Sequence, residues 1–325
     1  MDTIDRRRFI EKMLALGGGA AAAAALMSLA GCSGGPSPAP TGENITVAPP
    51  SAPPAGAAYL AVARGEHPEA LVQRSIAALG GIERFVKPGN DVIIKPNICT
   101  SNRAPEYAAT TNPEVVAALV TLCLGAGAAR VRVMDYPFSG GHEEAYSSSG
   151  IAEAVAGAGG RMEVMAGMKF QDTPAPHGLI LSSCRVYQEI LDADVLIDVP
   201  IAKQHGNTVL TLGMKNLLGV VDNPSSYHTA QMSERVVDLN TVVRPHLVVV
   251  DAVRILLNNG PTGGSLNDVK RTNTVIASHD IVAADSYGAT LFGKTAADLP
   301  IVQAGARRGL GTTDLGSLNI EEIPV

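Results

Sequence analysis

The sequence predicts an α/β fold, with a mostly parallel sheet, helices on both faces and room for a small inserted sub-domain. Three observations carry that expectation. From Ala57 onward, short continuous Val/Ile/Leu runs alternate with amphipathic stretches of helical length, as in strands buried on both faces and joined by crossover helices. Pro68 and Pro113 stand where a first-turn proline is tolerated, the latter behind a candidate cap, Asn112. Lys, His, Asn and Asp recur just after the apolar runs, at one edge of the expected sheet.

In chain order, strand Tyr59–Ala63 leads to helix Pro68–Phe85, and strand Asp91–Lys95 to helix Pro113–Gly125. Strand Arg130–Asp135 precedes helix Glu143–Ala156, closed by the turn signal Gly157-Ala158-Gly159-Gly160. The region around Asp172–Pro176 breaks the alternation and reads as an insertion or sub-domain boundary. Strand Val195–Pro200 follows, then helices Val209–Leu218 and Glu234–Val243. Strands Leu247–Asp251 and Thr274–Ala277 and helix Ile281–Phe292 complete the pattern, and no internal repeat is present.

Composition removes several classes. The chain has 325 residues, a net charge of −6, 46% hydrophobic residues and no tryptophan. The acidic balance without a basic stripe excludes nucleic acid as a partner. Four cysteines in this length are too few for a disulfide scaffold. The front end reads as an address. Arg6, Arg7, Arg8 and Phe9 form a twin-arginine pattern, an Ala/Gly/Leu-rich stretch runs from Met13 to Ala30, and Leu29-Ala30-Gly31-Cys32 resembles a lipoprotein cleavage box. The expected organisation is a signal peptide over 1–31, a Pro/Gly/Ser/Ala tether over 32–56 and an α/β domain over 57–325. The twin-arginine export machinery would move the folded protein, and a lipid on Cys32 would hold it to the bilayer on the extracytoplasmic side of the envelope.

The expected site lies at the carboxyl ends of the strands, where open parallel sheets bind ligands. Lys95 and Asn97 follow the second strand, and Asp135 ends the third with His142 close behind. Lys203 and His205 follow Val195–Pro200, Lys215-Asn216 and His228 come next, and Asp251 ends a later strand. Singly, each has a bland explanation: Asp251 or Asp135 as a cap, Lys95 in an ion pair, Lys215 with its ammonium led out to solvent. Their concentration is what points to a site. Lys215 is the most telling, because it lies in the otherwise apolar run Thr211-Leu212-Gly213-Met214-Lys215-Asn216-Leu217-Leu218, where an unpaired ammonium is costly to bury. Lys95, Asn97, Lys203, Lys215 and Asn216 are therefore the expected binding residues for a carboxylate or phosphate. His205 and His228 are the expected proton carriers, with Asp251 orienting.

A metal set drawn from His142, His205, His228, Asp135 and Asp251 lacks any HxxxH, HExxH or CxxC spacing. With Cys32 assigned to lipid, Cys99, Cys123 and Cys184 remain, and only Cys99 lies near the expected edge. An iron–sulfur cluster held by this chain alone is not expected, and the sequence names no cofactor. Dinucleotide, phosphate-loop and serine-hydrolase motifs are all missing.

Lys95-Pro96-Asn97, Thr111-Asn112-Pro113, Lys203-x-His205, Lys215-Asn216-x-x-Gly219, His228, Asp238-Leu239, Val250-Asp251, Gly260-Pro261-x-x-Gly264 and Ser278-His279-Asp280 through Asp285 resemble the family called domain of unknown function 362. The likeness spans roughly Ala57 to Gly293. It implies no settled activity. Members of that family are sometimes fused to ferredoxin-like iron–sulfur modules, and several carry twin-arginine signals, whereas this chain has no Cys-rich module. A remote likeness to the nickel-dependent lactate racemase group is fold analogy alone. Two readings follow: an envelope enzyme acting on an anionic small molecule, or a non-catalytic lipoprotein binding a ligand or a redox partner protein.

Overall fold

Alternate residues of the central strands feed two different apolar cores, and this decides the layering. In the computed structural model, which describes residues 53–325, Val248, Val250 and Ala252 point into one cluster, while Leu247, Val249 and Val253 point into the other. Each fully buried aliphatic side chain there contributes about 1.5–3 kcal/mol. The twin-arginine motif, the apolar stretch, Cys32 and most of the tether lie outside the described residues.

The first half of the chain holds β1 (Leu60–Arg64), α1 (Pro68–Ala78), β2 (Asp91–Pro96), α2 (Pro113–Gly125), β3 (Arg130–Val133), α3 (His142–Ser148), α4 (Ile151–Gly157) and β4 (Arg161–Met162). Then come β5 (Phe170–Pro174), β6 (Ser183–Tyr187), α5 (Gln188–Asp192), β7 (Val195–Val199), β8 (Ile201–His205), β9 (Val209–Thr211) and the single turn α6 (Gly213–Asn216). The remainder is α7 (Met232–Val242), β10 (Leu247–Leu256), β11 (Val269–Ser278), α8 (Ile281–Thr290), α9 (Pro300–Arg307) and β12 (Ile320–Pro324). Among these residues no helix is long and apolar enough to cross a membrane.

The main sheet runs β12-β1-β11-β10-β7-β2-β3-β4, with β8 added on β10 and β9 on β8. Every pairing from β10 through β7, β2 and β3 to β4 is parallel, and β11 is the antiparallel intruder between β1 and β10. Helices α1, α2 and α4 cover one face, and α6 to α9 the other. The predicted fold class holds.

Several boundaries differ, each for a local reason. The helix expected over Pro68–Phe85 stops at Ala78, because Gly80 and Gly81 both take positive φ (99° and 85°). The one expected over Glu143–Ala156 is split by Gly150 at φ 72°. The helix expected over Val209–Leu218 is mostly something else. Val209 turns the chain at φ 67°, β9 returns along β8 with His205 opposite Val209 and Lys203 opposite Thr211, and only Gly213–Asn216 is α-helical. The Asp285 carboxylate starts that turn by accepting the Gly213 and Met214 N–H groups at 2.7 and 2.9 Å. The expected sub-domain is the two-stranded β5–β6 ribbon, whose Phe170, Cys184, Val186 and Tyr187 pack into the main core. It shares that core and forms no sub-domain of its own.

Candidate functional site

Pro200 bends β7 into β8, so the strand that would end at the sheet's carboxyl edge continues beyond it. β8 and β9 then wall a cavity of about 470 Å³ lined by Lys95, Asn97, Lys203, His205, Lys215, Asn216 and His228. All seven of these predicted residues are brought together. Ile98, Tyr136, Phe138 and Leu218 line the same cavity and give it an apolar side, a volume and mixture usual for small-ligand sites.

The floor is a buried polar network. Lys95, fully buried at the end of β2, donates to Pro96 O at 2.8 Å and Asn216 Oδ1 at 3.1 Å, and it pairs with Asp135 Oδ1 at 2.6 Å, off the hydrogen-bonding axis. Asp135 Oδ2 accepts the Ile98 N–H at 2.6 Å. Asn216 receives a second bond from Asn97 Nδ2 at 2.8 Å and donates to Asp198 Oδ1 at 2.7 Å. The other oxygen of Asp198 is buried with no hydrogen-bond partner, and burial drives that carboxyl well above the usual carboxylate range. One lysine thus faces two buried acids, and burial raises both carboxyls, Asp198 well above the usual range. Gly219 lets this assembly close: a Cβ there would lie 1.9 Å from Asp135 Oδ1 and 2.6 Å from Lys95 Nζ.

The three lysines are not equivalent. Lys95 is committed to the floor. Lys203 donates to Asn97 Oδ1 at 2.9 Å and Ala109 O at 2.7 Å. Lys215 is only partly buried, and its ammonium makes no hydrogen bond or ion pair among the described residues. Burial, then the charges of Lys203 and Lys95, lower it to about 8. With Lys95 balanced by Asp135, the cavity keeps the excess positive charge of Lys203 and Lys215.

The two imidazoles face each other, nearly parallel at 17°, with centroids 6.1 Å apart. Their backbone bonds assign opposite tautomers. His205 Nδ1 accepts the Asn207 N–H at 3.1 Å, so its proton sits on Nε2. His228 Nδ1 lies 3.1 Å from Pro224 O and donates to it, leaving Nε2 a bare lone pair. Burial first, and Lys215 next, lower both; His205 falls to about 3. Both rings are neutral at pH 7, one a donor and one an acceptor.

Asp251 is the exception among the expected catalytic residues. Its carboxylate accepts the N–H groups of Asn112 at 2.7 Å and Val253 at 3.0 Å, and it does not line the cavity. It ties the start of α2 to β10 and orients neither histidine. Asn112 itself caps α2 through Glu114 N at 2.9 Å. The residues weighed as a metal set do not come together: His142 packs edge-on against Tyr136, with centroids 4.7 Å apart, and no group of three or more His, Cys, Asp or Glu ligands forms among the described residues. Sequence reading missed Asp198. Its signal was an acid inside the apolar strand Val195–Val199, a position that is tolerated only with buried partners.

The profile of the family described as domain of unknown function DUF362 matches residues 92–290, which include every cavity residue named above. The chain belongs to the DUF362 family. Like the present chain, a thylakoid-associated protein of Synechocystis sp. is similar over most of its length, at 30% identity over 258 residues, covering 75% of this chain and 76% of that protein. Among solved structures, the lactate racemase apoprotein from Thermoanaerobacterium thermosaccharolyticum is similar at 10% identity and a TM-score of 0.45, over 67% of this chain. The match spans only 53% of that racemase chain. A protein from Thermotoga maritima matches at 12% identity and a TM-score of 0.39, over 71% of this chain and 60% of its own.

Proposed function

We propose that this DUF362 protein is an enzyme that moves a proton on a small anionic molecule held in the 470 Å³ cavity. The carrying observation is the pair of facing neutral imidazoles with opposite tautomers, set beside the unpartnered Lys215 ammonium. His228 Nε2 takes and returns the proton, and the neutral His205 Nε2–H donates a hydrogen bond to the oxygen on which charge develops. Lys215, with the fixed charge of Lys203 behind it, attracts the anion. Lys95, Asn97 and Asn216 hold these groups in register through the floor network and are positioning residues.

The test is proton exchange in deuterium oxide. The full-length protein, incubated with a panel of 2-hydroxy and 2-oxo acids, is expected to wash deuterium into the carbon beside the carboxylate or carbonyl of at least one of them, as read by NMR. His228→Gln should slow that exchange by about 10²- to 10⁴-fold, the usual contribution of a positioned base. Exchange undiminished in His228→Gln, or absent with every acid of the panel, contradicts the reading. Absence of exchange with retained binding would favour a non-catalytic ligand-binding role for the same pocket.

A further inference from the structure

We propose that Lys215 forms a covalent imine with the carbonyl carbon of a 2-oxo acid bearing an apolar side chain. This deepens the proton-transfer reading and rests on the same cavity. Four features of the cavity support it.

The first is donor accounting. An ammonium has three N–H groups. Lys95 donates to Pro96 O and Asn216 and is paired with the Asp135 carboxylate, and Lys203 donates to Asn97 and Ala109. Lys215 alone among the cavity lysines points into the space with nothing bound. A lysine needed only for positive charge would be held like its two neighbours.

The second is its chemical state. A free amine is the nucleophile, and enclosure beside other cations is how an amine is kept unprotonated near neutral pH. Lys215 is enclosed, neighbours Lys203 and Lys95, and is lowered to about 8.

The third is the proton inventory. His228 Nε2 can take the protons that the Lys215 nitrogen sheds and pass them on, while the His205 Nε2–H can hydrogen-bond the carbonyl oxygen. Counted from the ammonium, nitrogen loses two protons and oxygen gains two, so the step balances without a co-reactant. The C–N bond forms as the carbonyl π pair moves to oxygen, and one proton carried over by His228 gives the carbinolamine. The second proton carried over turns its hydroxyl into water, which leaves a protonated imine.

The fourth is the chemistry of the lining. Asn97 and the charge of Lys203 suit a carboxylate, and Ile98, Tyr136, Phe138 and Leu218 in the same lining suit an apolar side chain.

The experiment is reductive trapping of the full-length protein with sodium cyanoborohydride and either pyruvate, 4-methyl-2-oxopentanoate or phenylpyruvate, read by peptide mass mapping. The expected result is a reduced adduct on the Lys215 peptide with the two larger acids. Its yield at pH 7.5 should exceed that on the exposed Lys270 by on the order of a hundredfold. Lys215→Arg keeps the charge and should lose the adduct. A parallel titration with 4-methyl-2-hydroxypentanoate, which has no keto group, separates anion binding from imine formation. Binding of the hydroxy acid without any adduct overturns the imine and leaves the anion pocket standing. Neither binding nor adduct overturns both. An adduct undiminished in Lys215→Arg overturns the assignment of Lys215.

Discussion

A Lys95→Met variant is expected to unfold about 3–5 kcal/mol more easily than the native chain, the cost of stripping one partner from a buried ion pair. Methionine keeps most of the side-chain volume, so the loss reports charge and hydrogen bonding more than packing. Asp135, bound at 2.6 Å by Lys95, would be left with one backbone N–H. Pro96 O and Asn216 Oδ1 would each lose a donor, and Asp198 the only cation that lowers it. Urea unfolding at pH 7.5 measures the effect. Adding Asp135→Asn should recover part of it, because a neutral amide no longer needs the lysine, and the two changes should be non-additive. A loss below about 1 kcal/mol, the range of exposed pairs, would mean that water reaches the floor of the site.

The second large effect concerns pH. His205 has a folded pKa of about 3 against an ordinary 6.5, from burial and the charges of Lys215 and Lys203, with His228 adding to them. Its folded value lies below its unfolded one, so its contribution is intact above pH 6.5 and is lost as pH falls toward 3. The unfolded chain takes up a proton that the folded chain refuses. Between pH 7.5 and 4.5 the native protein should therefore lose about 2–3 kcal/mol relative to His205→Gln, at about 1.4 kcal/mol per pH unit below the unfolded value. Unfolding of both proteins at the two pH values gives the difference directly. An unchanged gap would place the His205 ring in water.

Much of this was legible in the chain. The strands at 60–64, 91–96 and 195–199 lie within a residue of their expected bounds, because they are buried on both faces and written as unbroken apolar runs. β10 and β11 run about twice the expected length: Asp251 and Arg254 interrupt the apolar run of β10 although its far end is buried, and residues 269–273 of β11 are half-buried or exposed. The stretch 209–218 carries an apolar pattern that suits a helix equally well. What makes it a hairpin strand and a single turn is the unpaired edge of β8 and the distant Asp285 carboxylate, and neither is visible locally. The cavity residues could be found because they follow strand ends in a parallel sheet. Asp251 obeys the same rule and yet serves as a cap, because Asn112 N lies 2.7 Å from its carboxylate. Which lysine is spent and which is free depends on partners more than a hundred residues away, as Lys95 and Asn216 show.

The central claim is that this cavity holds a small anion and that Lys215 is the cation left free to meet it. Calorimetric titration of the full-length protein with 4-methyl-2-hydroxypentanoate and with inorganic phosphate tests it most directly. The expected result is saturable binding of the carboxylate that weakens by about 10- to 100-fold in Lys215→Met, the worth of a charge-assisted contact, and is unchanged in Lys270→Met on the exposed surface of β11. Binding of neither anion to the native protein, or equal affinity in native protein and Lys215→Met, would contradict it.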